Sequence, residues 1–228
     1  MRRSINDTNL VTLTNPKSPI SEAYRTLRTN IQYSAIDTSI QVVMVVSTQM
    51  DEGKTTTITN LAIAYAQEGK RVLLIDADMR KPSIHHVFAL TNRVGLSSIL
   101  SNQFNVQDVI SDTPVDNLSI ISAGPIPPNP SEMLGSQKLK VLLAEMREQY
   151  DMILFDTPPI MAVTDSLILS ALCDGVVLVV QAGKVKKDLV KKTRASLQHV
   201  NAPLLGTVLN NVAGSSGKIY HDYYKAGK

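Results

Sequence analysis

A glycine, a lysine and a threonine stand in a row at Gly53, Lys54 and Thr55, separated by five residues from the end of the apolar run at 41–47. In phosphate-binding loops this ending lies between a strand and a helix, where successive backbone N–H groups point at phosphate oxygens. The lysine reaches the β- and γ-phosphates, and the threonine hydroxyl is a ligand of Mg²⁺. The glycine that usually stands five residues before Gly53 is replaced by Thr48. A bare Gly-Lys-Thr also fits an ordinary helix start, but its position after a buried strand favours a nucleotide site.

Three aspartates follow two further apolar runs of the sequence. Asp76 and Asp78 end the segment RVLLIDAD, and the two-residue period of a strand predicts both carboxylates on the same side. Two carboxylates this close repel each other unless a cation or a proton lies between them. The alternative is that these aspartates only cap the loop after the strand, which would explain one aspartate better than two. Asp156 ends DMILFD, the arrangement of a Walker B carboxylate directed at the Mg²⁺ shell. Together with Lys54 and Thr55, the three aspartates predict a magnesium–nucleotide site.

Short apolar runs rich in β-forming residues alternate with helical patterns along the chain. Most of the runs are nearly continuous, as expected for strands buried on both faces. The alternation predicts an α/β fold, a P-loop NTPase-like and mainly parallel sheet with helices on both faces. Strands are predicted at 41–47, 71–78, 118–122, 151–156, 175–181 and 204–210, and helices at 54–68, 136–149, 163–172 and 186–200.

The ends of the chain differ in composition from this core. Residues 1–18 are polar and contain NPKSP, which predicts a flexible arm. Residues 19–36 show helical periodicity, with Ser21 as the expected cap, and form an N-terminal helical extension. Residues 37–212 are the predicted P-loop domain, and residues 213–228 return to Gly, Ser and Lys and are predicted to be a flexible tail.

Length and charge limit the possible functions. The 228 residues suffice for one substantial domain, and a formal net charge of +3 is too small to indicate nucleic acid binding. The single cysteine, Cys173, excludes an internal disulfide and suits a reducing compartment. We find neither a signal peptide nor an apolar run of the ~18 residues that span a bilayer, so a cytoplasmic protein is expected.

Five short motifs occur in order: EAYRTLRTN (22–30), DEGKTTT (51–57), LLIDADMRKP (73–82), GPIPPNP (124–130) and ILFDTPP (153–159). A cluster of tyrosines follows near the end of the chain. With these features the sequence resembles the bacterial tyrosine kinases, and more closely the cytoplasmic kinases of capsule and exopolysaccharide operons in Gram-positive bacteria. The resemblance covers nearly the whole chain after about residue 18. Its most specific part is the Asp-x-Asp strand ending continued by Met-Arg-Lys-Pro.

The resemblance implies a role for each site residue. ATP is expected along the loop at Asp51, Glu52, Gly53, Lys54, Thr55 and Thr56, with Asn210 near the adenine. The implied ligands of Mg²⁺ are Thr55, Asp78 and Asp156, and the implied catalytic residues are Lys54, Asp76, Asp78 and Asp156. Asp76 would orient or deprotonate the attacking tyrosine. Arg80 and Lys81 could stabilise the transferred phosphoryl charge, and surface salt bridging is an equally good interpretation of both. The family's loop usually has Pro-Gly where this chain has Met50 and Asp51, and Asp51 adds a negative charge near the phosphates.

Partners are also implied by the resemblance. Tyr220, Tyr223 and Tyr224 become autophosphorylation sites, modified between subunits. Glu22, Arg25 and Arg28 become contacts of a ring-like homo-oligomer, whereas a solvated helix face is the plainer interpretation. The family further implies a membrane-embedded activator of the polysaccharide copolymerase type that recruits the kinase to the inner face of the membrane. Protein substrates such as enzymes making nucleotide sugars, and a cognate tyrosine phosphatase, are expected; nucleic acid is not.

Two other functions compete with the kinase. Partitioning and division-site ATPases of the ParA/MinD type carry a signature lysine at the position of Gln49, and this chain lacks it. A non-catalytic regulator switched by ATP, with the tyrosine tail as a docking peptide, is not excluded by the sequence. Phosphotransfer would exclude it.

Overall fold

A seven-stranded sheet forms the centre of the molecule. The structure is a computed structural model that describes residues 10–34 and 39–212. The sheet order is β3-β4-β2-β5-β1-β6-β7. All neighbouring strands are parallel except β3, which is antiparallel to β4. The strands are β1 Val42–Ser47, β2 Val72–Asp76, β3 Ser111–Asp112, β4 Leu118–Ile121, β5 Met152–Asp156, β6 Gly175–Gln181 and β7 Leu204–Asn210.

Each central strand packs against helices on both of its faces. Along β1, Val42, Met44 and Val46 belong to one apolar cluster, while Val43 and Val45 belong to the other. All residues of β1, β2 and β5 are buried. This two-sided burial explains why the runs are continuous in apolar residues instead of alternating. The predicted parallel α/β sheet is confirmed.

The helices flank the sheet at positions close to those predicted. They are α1 Val11–Thr14, α2 Pro19–Gln32, α3 Lys54–Ala66, α4 Ile84–Val87, α5 Leu96–Leu100, α6 Pro130–Leu134, α7 Gln137–Gln149, α8 Asp165–Ser170 and α9 Lys187–His199. The sequence did not predict α1, α4, α5 or α6, because four or five residues are too few to show a helical period. No helix among the described residues is long and apolar enough to cross a membrane.

The N-terminal arm differs from the prediction. Residues 10–18 form the short helix α1 and its connection to α2, and Leu10 is fully buried. Ser18 caps α2 by accepting a hydrogen bond from Ser21 N at 3.1 Å, so the cap predicted at Ser21 was wrong. Ser21 instead turns inward and donates to the Asn15 carbonyl at 2.7 Å. Composition alone had suggested a loose arm because a single buried leucine gives no periodic signal. Residues 1–9, the end of the predicted 19–36 helix and the tail at 213–228 lie outside the described residues.

Helix α3 lies between the sheet and the N-terminal helices. Almost all of its residues are buried, which explains its weak amphipathicity in sequence. Thr12 N donates to the Asn60 side chain at 2.9 Å, which fastens α1 to α3. Arg28 donates to the Ala64 carbonyl at 2.9 Å and approaches Glu68 at 3.5 Å, which fastens α2 to the last turn of α3. The N-terminal extension is therefore part of the domain's packing.

Replacing Leu10 with alanine tests whether this segment is part of the core. Loss of a fully buried leucine leaves a cavity, so we expect the free energy of unfolding to fall by about 2–5 kcal/mol. Urea unfolding followed by circular dichroism measures it. Ile20→Ala is the control, since Ile20 is 57% exposed and its loss should cost little. If both substitutions changed the free energy of unfolding equally and only slightly, the interpretation of this segment as a flexible arm would be supported instead.

Candidate active site

The predicted site residues converge at the carboxyl edge of the sheet. Strands β2, β5 and β1 are neighbours, and Asp76 of β2 is the register partner of Asp156 of β5. The loop after β1 crosses the same edge and ends where α3 begins at Lys54. Ligands of open parallel sheets bind outside this edge. The topology thus brings together three motifs that are far apart in sequence.

Gly53 gives the loop its shape. Its φ of +88° lies in the left-handed region, and a Cβ there would stand 2.0 Å from the side-chain nitrogen of Asn210. That nitrogen donates to the Glu52 carbonyl at 2.9 Å, so β7 holds the loop from the side. Both observations require glycine at this position. Asn210, predicted near the adenine, contacts the loop backbone; its role with the base stays a prediction.

The Glu52 side chain points into the protein. Its carboxylate accepts hydrogen bonds from the backbone N–H of Gln49 and, at 3.3 Å, from that of Gln181. Burial raises the pKa of Glu52, and these hydrogen bonds partly oppose the increase. Glu52 therefore organises the loop from within. Thr48, which replaces the expected glycine, is also buried and lies 3.3 Å from the Thr193 hydroxyl of α9.

Lys54 and Thr55 both reach the carboxylate of Asp156. Lys54 Nζ lies 2.6 Å from Oδ1, and the Thr55 hydroxyl donates to Oδ2 at 2.7 Å. Asp156 is fully buried at the end of β5. These contacts bring residues of the first and third motifs together.

Asp76 is fully buried behind this group. Its Oδ2 accepts from Ser83 N at 2.9 Å and Ile84 N at 3.0 Å. Burial and the neighbouring Asp156 raise the pKa of Asp76 to about 7, although the two hydrogen bonds and Lys54 oppose the increase. A carboxyl with this pKa can accept a proton near neutral pH. Its predicted role toward tyrosine stays a prediction, since Asp76 does not line the cavity described below.

Asp78 lies nearer the solvent than Asp76. Strand β2 ends at Asp76 and does not extend to residue 78 as predicted, so strand alternation does not determine where the Asp78 side chain lies. Asp78 instead belongs to a turn in which its backbone N–H donates to Asp76 Oδ1 at 3.2 Å and its own Oδ1 accepts from Lys81 N at 3.0 Å. Burial raises its pKa. The turn places Asp78, unlike Asp76, on the wall of the cavity.

A cavity of about 760 Å³ opens in front of these residues. Its walls include residues 50–56 of the loop, Asp78, residues 80–83, and Pro158 and Pro159 after β5. The volume falls within the roughly 300–1,000 Å³ of sites for small molecules. All six predicted loop residues from Asp51 to Thr56 line it. The cavity is therefore the candidate nucleotide site.

The oxygen atoms present suit Mg²⁺. Thr55 and Asp156 offer a hydroxyl and a carboxylate 2.7 Å apart, and Asp78 adds a carboxylate on the cavity wall. In residues 10–34 and 39–212, no three His, Cys, Asp or Glu side chains cluster into a metal site. Mg²⁺ needs no such cluster, because it commonly takes one or two protein carboxylates and completes its shell with water and phosphate oxygens.

Some functional neighbours were not identified from the sequence. Ser83 places its hydroxyl 3.3 Å from that of Thr55, and Asp165 and Ser131 bind the side chain of Arg80. These residues are far apart along the chain, so no local sequence pattern predicts their contacts. A polar residue at the start of a helix, such as Asp165, looks in sequence like an ordinary cap.

The remaining predicted residues lie elsewhere. Arg25 pairs with Glu22 at 2.8 Å and donates to the Pro16 carbonyl, and Arg28 binds the end of α3 as described. These intrachain contacts neither require nor oppose contacts between subunits, so the predicted role in assembly stays a prediction. Tyr220, Tyr223 and Tyr224 fall outside the described residues.

Lys54→Met is expected to destabilise the protein as well as the nucleotide site. It removes the cation that pairs with the fully buried Asp156, and breaking a buried pair costs about 3–5 kcal/mol. Adding Asp156→Asn should recover most of this loss, because the unpaired charge at position 156 is then removed as well. Urea unfolding without nucleotide measures both variants. Additive losses would show that the two side chains are not energetically coupled.

Asp51 allows charge and backbone strain to be tested separately. It has a φ of +62° and lines the candidate nucleotide cavity, so it adds a negative charge to the site proposed for phosphates. Asp51→Asn removes the charge and tolerates the left-handed backbone, so we expect ATP to bind about three- to tenfold more tightly at low salt.

Asp51→Gly should tighten ATP to a similar degree and also raise the free energy of unfolding by about 1 kcal/mol, because glycine relieves the left-handed strain. Isothermal titration and urea unfolding give the two quantities. Tighter binding by the glycine variant alone would assign the effect to backbone geometry.

Comparison with known proteins identifies relatives of the whole domain. A family model described as an AAA domain matches residues 40–202. The chain is 44% identical over 215 residues to the tyrosine-protein kinase YwqD of Bacillus subtilis (strain 168), covering 94% of this chain and 91% of that protein.

Solved structures agree with this relationship. The chimerical protein CapA2B2 superposes with a TM-score of 0.88 at 40% identity and 91% coverage of both chains. The kinase domain of the Escherichia coli tyrosine kinase ETK superposes with a TM-score of 0.89 at 30% identity, covering 94% of this chain and 83% of that one. The cell division ATPase MinD of Pyrococcus furiosus, at 24% identity and a TM-score of 0.66, shares the fold alone. The chain belongs to the bacterial tyrosine-kinase family.

Proposed function

We propose that the protein transfers the γ-phosphoryl group of Mg-ATP to tyrosine hydroxyls, on the tail of a second copy and on other proteins. The observation that carries this proposal is the meeting of Lys54 and Thr55, which line the cavity, with the buried carboxylate of Asp156. Asp78 and Arg80 line the same cavity. YwqD and ETK are tyrosine kinases, which supports the same activity here.

The chain's own groups divide the work of this reaction. Backbone N–H groups at the start of α3 and Lys54 bind the phosphates, and the Thr55 hydroxyl, Asp78 and Asp156 would hold Mg²⁺. Held by these residues, Mg²⁺ would neutralise part of the negative charge of the phosphates. The tyrosine oxygen forms a bond to the γ-phosphorus as the bond to the ADP oxygen breaks, and the phenolic proton leaves.

The phenol has an unperturbed pKa near ~10, so loss of its proton at neutral pH needs assistance. Asp76, with its pKa raised to about 7, is the carboxyl best suited to accept the proton. Because Asp76 is buried, transfer requires an intermediate proton carrier or a local rearrangement.

The tail is the proposed first substrate. Tyr220, Tyr223 and Tyr224 lie in the last nine residues of a chain of 228, next to Gly, Ser and Lys. Phosphates there would add strong negative charge and loosen a ring formed through Glu22, Arg25 and Arg28. Transfer occurs between subunits in this proposal, since the tail can hardly reach its own site.

The family also supports a place for the kinase in the cell. We propose that a membrane-embedded activator of the polysaccharide copolymerase type recruits it to the inner face of the membrane. There it regulates synthesis and export of capsule or exopolysaccharide by phosphorylating proteins such as nucleotide-sugar enzymes, and a cognate phosphatase reverses the modification. The relative solved as a chimerical protein, CapA2B2, suggests pairing of a kinase with a second component.

Mass spectrometry after incubation with Mg-ATP tests the activity, with and without the activator's cytoplasmic peptide. We expect phosphate on Tyr220, Tyr223 or Tyr224, and none in the Lys54→Met/Asp156→Asn double variant, which removes both charges of the buried pair. ATP binding or hydrolysis with unmodified tyrosines, even with activator, would instead identify an ATP-switched regulator.

Transfer between subunits is tested by mixing two altered chains. One carries an intact kinase site and phenylalanine at all three tail tyrosines; the other carries the double variant and an intact tail. Phosphate on the intact tail would demonstrate transfer in trans. Its absence, with the unaltered chain active, would show that each chain modifies itself.

A further inference from the structure

Arg80 stands on the wall of the nucleotide cavity, two residues after Asp78. Its side chain is 42% exposed, so it can meet a ligand in the cavity. Arginine is well suited to such a position, because its planar guanidinium binds phosphate through two parallel hydrogen bonds. A long flexible side chain at a cavity mouth must be held in place to act this way.

One edge of the guanidinium is bound by a buried carboxylate. Arg80 Nε lies 2.9 Å from Asp165 Oδ2, and Arg80 Nη2 lies 3.0 Å from Asp165 Oδ1. Ser131 completes the arrangement by donating to Asp165 Oδ1 at 2.6 Å and accepting from Nη2 at 3.2 Å. Within residues 10–34 and 39–212, Nη1 makes no such contact, which leaves it available to a ligand.

Asp165 is fully buried although its partner is not. Burial would raise its pKa, but the hydrogen bonds from Arg80 and Ser131 hold the pKa below its ordinary value. The carboxylate is therefore ionised at neutral pH. Burying a charge is costly, and a buried ion pair seldom repays that cost in stability. A fixed orientation of Arg80 is the better explanation for keeping it.

Three separate segments meet at this group. Arg80 follows β2, Ser131 lies in α6 directly after the proline-rich segment 124–130, and Asp165 begins α8. The proline-rich segment has a rigid backbone, because each proline fixes its own φ. Ser131, at the end of this stiff segment, therefore contacts the Arg80 side chain from a rigid position.

We propose that Asp165 and Ser131 are positioning residues that hold Arg80 so that its free Nη1 edge meets the phosphoryl group during transfer to tyrosine. As the tyrosine oxygen bonds to phosphorus and the bond to ADP breaks, negative charge spreads over the equatorial oxygens, and Arg80 binds it there. The inference rests on the proposed phosphotransfer and adds a role for two residues outside the nucleotide motifs.

Asp165→Asn tests the inference in the full-length protein. Asparagine keeps the size of the side chain but removes the charge and one acceptor, so Arg80 loses its fixed orientation. We expect kcat for phosphorylation of the tail of an inactive chain to fall about 10- to 100-fold. The dissociation constant of ATP should stay within about twofold, since the loop is untouched.

The chain offers a matched control at Asp151→Asn. Asp151 binds Arg71 by the same two-pronged contact, at 2.8 and 3.3 Å, where β2 and β5 begin. It lies at the opposite edge of the sheet from the cavity, so its loss should leave kcat unchanged. If kcat fell equally in Asp165→Asn and Asp151→Asn, general destabilisation would explain the fall, and the inference would be overturned.

A double-mutant cycle with Arg80→Ala separates positioning from structure. If Asp165 acts through Arg80, Asp165→Asn should have little further effect on kcat once Arg80 is alanine. Additive losses would overturn the inference. Should Asp165→Asn fail to fold, Ser131→Ala removes only hydrogen bonds of the same group and should lower kcat about three- to tenfold; an unchanged kcat there also overturns it.

The two proposals can fail separately. An unaltered chain that binds ATP but phosphorylates no tyrosine with activator present refutes the proposed function, and the inference with it. An active unaltered chain together with a fully active Asp165→Asn variant refutes the inference alone.

Discussion

The fully buried carboxylate of Asp156 is the interaction on which the site depends. One oxygen pairs with Lys54 Nζ at 2.6 Å and the other accepts from the Thr55 hydroxyl at 2.7 Å. A buried charge must be compensated, so the strand that ends in Asp156 and the helix that begins with Lys54 are tied together. The same three groups are those that we propose for binding Mg-ATP. The requirement of the fold and the requirement of the chemistry therefore coincide.

The environments of Asp76 and Asp165 shift the pKa values of these two carboxylates in opposite directions. Asp76 is buried beside Asp156 and has a pKa raised to about 7, whereas Asp165 is held ionised by Arg80 and Ser131. One group can accept a proton near neutral pH, and the other fixes a cation. Acids with opposite shifts of pKa are a common way to divide roles within an active site.

Sequence patterns predicted the parts of the molecule with a strong local signal. Continuous apolar runs located β1, β2 and β5, and the Gly-Lys-Thr ending located the start of α3. They did not predict the short helix α1 or its buried Leu10, because four residues show no period. Nor could they predict the contact of Arg80 with Asp165, since 85 residues separate the two. Contacts of that kind arise from topology and have no local pattern.

Helix α3 links two regions that the sequence keeps apart. Its first residue is Lys54 of the nucleotide loop, and its last turn receives Arg28 from α2. Thirteen residues at 1.5 Å each make a rod of roughly 20 Å, and its dipole favours phosphate at one end and a cation at the other. If a neighbouring subunit draws Arg28 away from Ala64, the rod loses the cation at its far end. Subunit assembly and nucleotide binding would then be coupled. Assembly would change the affinity for nucleotide, and nucleotide would change the affinity between subunits by the same factor.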